Sequence, residues 1–82
     1  MRVSMRFACP GLFDGVQNGT YETDGDTSIR ECVEAYALEH GVSLRENWHE
    51  NVQVLRDNKP VRVDTVITGD SEIIVVHRIL GG

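Results

Sequence analysis

Between Ser28 and Gly41 the sequence carries one amphipathic pattern of helix length, and everything else that is apolar is patterned for strands. Ile29, Val33, Tyr36, Ala37 and His40 recur at helical spacing and fall on one face. Ser28 and Glu31 form an S-x-x-E capping box at the start, in which each side chain is expected to satisfy the other residue's backbone N–H. Gly41 is the expected stop. Glu31, Glu34 and Glu39 lie mostly on the other faces. A single helix has to cover whatever sheet the strands build, because no other element can bury their apolar positions.

The strands read as follows. In "RVSMRF", Val3, Met5 and Phe7 alternate with Arg2, Ser4 and Arg6, the period of a half-buried strand. "CPGLFDGVQNG" holds Pro10 and three glycines and reads as a loop. "TYET" is short, β-branched and aromatic, a second strand. "VSLRENWHEN" has no clear period and fits a short helical turn or a loop. "VQVLRDNKPVRV" reads as two strands around Asp57-Asn58, both of which tolerate left-handed dihedrals. "TGDSE" is a further turn, and "IIVVHRI" is a nearly continuous apolar run, as in a strand covered on both faces. The expected order is β-β-α-β-β-β, an α+β fold with one helix packed on one face of a mixed sheet.

Size and charge narrow the function. A chain of 82 residues buries about 60% of the surface its unfolded form exposes, enough for one modest core and no deep, walled cavity. We read residues 1–82 as one domain. A net charge of −5 argues against nucleic acid and against anionic membrane surfaces, and suits docking on a basic partner. No apolar stretch approaches the roughly 20 residues needed to span a bilayer, and "MRVSMRFACP" lacks the apolar core of a signal peptide. With only Cys9 and Cys32, the expected compartment is reducing and cytoplasmic, although a Cys9–Cys32 disulfide stays open at this level.

Few other residues offer chemistry. Cys32 lies beside the helix's apolar stripe and is expected in the core, whereas Cys9, at the start of a loop, is expected to be more open. His40, His49 and His77 do not combine with the cysteines into a metal motif, so no metal is expected. No phosphate loop and no nucleophile elbow is present. Asp14, Asp24, Asp26, Asp57 and Asp70 all stand at turn signals, where aspartate serves structure. Trp48 reads as the edge of the core, or else as an interface anchor.

The last residues, "HRILGG", are poor material for folding, since glycine loses the most freedom on ordering and packs nothing. Taken with "RFA", "SIRECVEAYALEHG", "VLRDNKPV" and "GDSEIIVV", this ending resembles the ubiquitin-like β-grasp sulfur carriers, the family of the thiamine sulfur carrier (ThiS) and the small subunit of molybdopterin synthase (MoaD). The resemblance spans essentially the whole chain. Molybdopterin synthase subunits typically carry a Pro-Pro tail, which is missing here, while the length favours that type over the thiamine type, so the acceptor stays open.

The resemblance implies a ubiquitin-like β-grasp with residues 80–82 as a flexible tail. It implies that Gly82 is the working residue: an ATP-dependent, ThiF/MoeB-like activating enzyme adenylates its carboxylate, and a persulfide then converts it to a thiocarboxylate that donates sulfur in molybdopterin- or thiamine-type cofactor biosynthesis. Gly81 lets the tail thread a narrow channel. Arg78, Ile79 and Leu80 are implied partner contacts: Arg78 through its planar fork on a carboxylate, Leu80 in an apolar groove, Ile79 there or at the end of the core strand. The chain would be a co-substrate and not itself an enzyme, would bind no cofactor, and would meet a sulfur-acceptor synthase subunit. Two other readings use the same ending: a ubiquitin-like modifier attacked by lysine amines, and a β-grasp binding module.

Overall fold

The structure is a computed structural model that describes residues 1–78. Its main sheet has five strands: β1 (Arg2–Ala8), β2 (Gly19–Glu22), β4 (Val52–Arg56), β5 (Lys59–Val61) and β7 (Ser71–His77). Their spatial order is β2-β1-β7-β4-β5. Strands β1 and β7 run parallel, Val3 opposite Ser71 through Ala8 opposite Val76, and every other pairing in this sheet is antiparallel. A helix, α1 (Ile29–Glu39), packs on one face. Taken with that helix, the main sheet has the expected β-β-α-β-β-β order. Two further strands of two residues each, β3 (Thr27–Ser28) and β6 (Val66–Ile67), pair with each other as a small second sheet.

Alternation explains the core. On β1, Val3 and Met5 are buried while Arg2, Ser4 and Arg6 face solvent. On β7, Ile73 and Val75 point inward, and on β4 Val52 and Val54 do. These meet Ile29, Cys32, Val33 and Tyr36 of α1 in one cluster that also takes in Phe13, Trp48 and Ile67. The expectation that β7 is covered on both faces is not met. Glu72 is exposed and Ile74 and Val76 are half-buried, because on that side each has only its cross-strand neighbours, Arg6 and Leu55 beside Ile74, Ala8 and Gln53 beside Val76. With one α-helix among the described residues, only one face is roofed.

The helix ends follow local chemistry. Ser28 Oγ accepts from the Glu31 backbone N–H at 3.1 Å. The Glu31 carboxylate returns to the Ser28 hydroxyl at 3.0 Å, in place of the backbone N–H of an ideal capping box. At the other end Gly41 takes a φ of +76°, and Val42 N–H reaches back to Ala37 C=O at 3.0 Å while Gly41 N–H reaches Leu38 C=O at 2.9 Å, a Schellman closure. The unperiodic segment supplies a 3-10 turn, Trp48–Asn51, and Trp48 sits at the core edge with its indole N–H donating to Glu34 at 2.8 Å.

The loop after β1 folds back onto the core. Leu12 N–H donates to Cys9 C=O at 3.2 Å, and Phe13 sits between Phe7 and Trp48 with ring centroids 4.8 and 5.7 Å away, tilted against the first and edge-on to the second. This corrects the expectation for Cys9, which is buried under that turn and only 3% exposed.

Asp57 and Asn58 join β4 to β5 with φ values of +49° and +71°, the two-residue turn whose twist matches a right-handed hairpin. Asp57 also closes onto β7, its N–H donating to Glu72 C=O at 2.9 Å and its carboxylate accepting from Glu72 N–H at 3.0 Å. A β-branched side chain is strained at such a φ. Asn58→Val should therefore lower unfolding stability by about 1–2 kcal/mol in urea titration, while Asn58→Gly should not lower it. Equal stabilities for the two variants would contradict the turn assignment.

Candidate functional site

The site is built where β7 ends. As the middle strand, β7 is held by β1 on one side and β4 on the other, and its exit is pinned by the pairing of His77 with Val52. Arg78 N–H then donates to Asn51 C=O at 3.1 Å. His77 and Arg78 are exposed. The other residues expected to carry function, Ile79, Leu80, Gly81 and Gly82, lie outside the described residues.

Beside this exit is a cleft of about 530 Å³ that sequence reading did not anticipate. Arg78 lines it, together with Arg30 from the first turn of α1, His49 from the 3-10 turn and Arg62 just beyond β5. Val54, Val61 and Val63 add apolar lining, and Asp64 is its only carboxylate among the described residues. Its walls are joined by main-chain bonds: Arg30 N–H to Val63 C=O at 2.8 Å and Ile29 N–H to Thr65 C=O at 2.9 Å. The Arg30 guanidinium and His49 Nε2 are 3.0 Å apart, and because a guanidinium only donates, Nε2 is the acceptor.

The cysteines do not form a reactive centre. Both are free and buried, and burial pushes each thiol up to about 11. The nucleophilic form of cysteine is the thiolate, so neither is poised for sulfur relay at neutral pH. Trp48, at 7% exposure, packs as core and does not present itself as an interface anchor. Among the described residues no three His, Cys, Asp or Glu side chains converge on a point that could hold a metal ion. No helix among them is long and apolar enough to cross a membrane.

No protein-family model matches the chain, and no curated protein sequence does. Solved structures do match in shape. The crystal structure of SAMP1 from Haloferax volcanii superposes with a TM-score of 0.62 at 16% identity over the full length of both chains. A crystal structure of the H. volcanii small archaeal modifier protein 1 gives 0.65 at 16% identity, over 95% of this chain and 98% of that one. At this identity the likeness concerns fold, and the fold is the ubiquitin-like β-grasp expected from the sequence.

Native protein at about pH 8 should resist a thiol-specific reagent that labels both cysteines after urea unfolding. Between about 9 and about 11 the unfolded thiols give up protons that the folded ones retain. The unfolded state then binds fewer protons, so stability should fall as pH rises through that window and be indifferent to these groups below it. Rapid labelling of the native protein at about pH 8 would contradict the buried placement of Cys9 and Cys32.

Proposed function

We propose that this chain is a carrier whose working group is the carboxylate of Gly82. The observation that supports it most is the exit geometry: the central strand hands the chain out at an exposed Arg78, and the next four residues are Ile79, Leu80, Gly81 and Gly82. The β-grasp shape shared with a small archaeal modifier protein agrees with it.

In the proposed chemistry an ATP-dependent activating enzyme of ThiF/MoeB type binds the domain. A Gly82 carboxylate oxygen attacks the α-phosphorus of ATP, pyrophosphate leaves, and an acyl adenylate forms. The terminal sulfur of a partner's persulfide attacks the carbonyl carbon and expels AMP. A second thiol cleaves the resulting acyl disulfide, leaving a thiocarboxylate on Gly82 and a disulfide on the partner. The thiocarboxylate then donates sulfur to a precursor held by a synthase subunit, in molybdopterin- or thiamine-type cofactor synthesis. Gly81 and Gly82 suit the task because a narrow channel excludes any Cβ, and attack at a carbonyl tolerates little misplacement. On this reading the chain is a cytoplasmic co-substrate and not an enzyme by itself, ATP is bound by its partner, and Arg78 pairs with a carboxylate there while Ile79 and Leu80 seat in its groove.

A second reading is favoured by the shape this chain shares with a small archaeal modifier protein. There the same acyl adenylate is carried to a lysine amine, and the chain ends in an isopeptide bond. Both readings share the first step and differ in the final nucleophile.

Intact-mass measurement after incubation with an activating enzyme, ATP and a sulfur source should show one oxygen replaced by sulfur, and fragmentation should locate it at Gly82. Lysine-linked adducts without that exchange would favour the modifier. An unchanged mass beside a demonstrably active enzyme would overturn both. Gly82→Ala should leave the melting temperature unaltered, since glycine has no side chain to give to a core, yet lose transfer. Arg78→Ala should weaken binding of the activating enzyme by roughly tenfold, measured by calorimetry.

A further inference from the structure

We propose that the cleft between the start of α1 and the β4–β5 edge is a docking site for an acidic, partly apolar peptide segment of a partner protein. The inference does not depend on activation of Gly82.

Charge is the first argument. The chain has 8 Lys and Arg against 13 Asp and Glu, for a net −5. Among the described residues, three of those cations, Arg30, Arg62 and Arg78, line one cleft with a single carboxylate, Asp64, a local balance of +2 in an acidic molecule. Of the arginines outside it, Arg2 pairs with Glu22 at 3.1 Å and Arg56 lies beside Asp57 at 3.9 Å, while Arg6 and Arg45 stand apart from one another in the sequence. The three in the cleft make no ion pair among the described residues. Arg30 is nevertheless oriented, by its bond to His49, and keeps further N–H groups for an incoming acceptor.

The kind of anion follows from the backbone. A helix start can cradle phosphate when its first N–H groups are free. Here Ile29 N–H is taken by Thr65 C=O, Arg30 N–H by Val63 C=O and Glu31 N–H by the Ser28 hydroxyl. What remains are side-chain donors, chiefly the guanidinia of Arg30, Arg62 and Arg78, and they stand beside the half-buried Val61 and Val63. Carboxylates spaced along a chain, with apolar residues between them, match that lining; a compact phosphate would leave the valines unused.

The edge strand refines the mode of docking. Strand β5 ends the main sheet, but Pro60, in the middle of its three residues, has no N–H to offer. Strand addition is therefore blunted, and the contacts expected are side-chain ones. The main-chain bonds that join the cleft walls reduce the ordering needed on binding.

The test uses the full chain and a fluorescein-labelled peptide of about ten residues in which glutamates alternate with leucine and valine, read by anisotropy at low salt. Saturable binding is expected. It should weaken at least tenfold in the Arg30→Gln/Arg62→Gln double variant, weaken steeply as salt is raised, vanish for the glutamine version of the peptide, and be unaltered by Arg2→Gln on β1, away from the cleft. Amide chemical-shift changes on titration should cluster at residues 61–64 and around Arg30. Thermal melting confirms that the variants fold. The proposal is overturned by absent binding, by equal binding to the double variant, by shifts centred elsewhere, or by inorganic tripolyphosphate displacing the peptide at lower concentration than free peptide does, which would make the cleft a phosphate site.

Discussion

The parallel pairing of Val3–Ala8 with Ser71–Val76 places the earliest and latest strands of the described chain side by side at the middle of the sheet. Ile73 and Val75 are wholly buried there, flanked by Met5 and Phe7 on one side and by Val54 on the other. Parallel strands cannot be joined by a tight turn, so the chain between them must cross over the sheet, and α1 makes that crossing. The same pairing brings the C-terminal ends of β1 and β7 to one end of the molecule. The Phe13 loop follows β1 there, the Trp48 turn precedes β4 there, and Arg78 leaves β7 there. The candidate site is thus a consequence of sheet topology before it is a matter of side chains.

What the sequence disclosed was what local chemistry controls. The helix was legible because capping, periodicity and the closing glycine all agree within 14 residues, Ser28 to Gly41. The hairpin was legible because Asp57 and Asn58 both accept positive φ. The β3–β6 pair was not, since two residues per strand carry no period and the pairing joins Thr27 to Ile67 across 40 positions. Cys9 was misjudged because its burial comes from Phe13 folding back, a tertiary event. The cleft was invisible for the same reason: Arg30, His49, Arg62 and Arg78 are isolated in sequence, and only the crossing of α1 over the β4–β5 edge gathers them. The expected site residues from Ile79 onward had the opposite character, being legible as a motif and lying beyond the described structure.

Net charge illustrates how an average can hide a surface. A value of −5 suggests a basic partner, while the cleft presents the opposite sign. Both hold together because charge is unevenly spread, with Arg30, Arg62 and Arg78 gathered at one cleft beside the β4–β5 edge of an acidic chain. Such a distribution orients an approaching partner as well as attracting it.

The position of β7 has a consequence for biosynthesis. The strand that completes the core is the last element of the described chain to be translated, Ser71–His77. Until it emerges from the ribosome, Val3, Met5, Val52 and Val54 have no central partner, and the helix has nothing continuous to roof. Long-range pairings of this kind come late in folding. A product cut short by even one strand would remain open to proteases, so foldedness itself certifies that synthesis has run as far as the strand that ends beside Arg78.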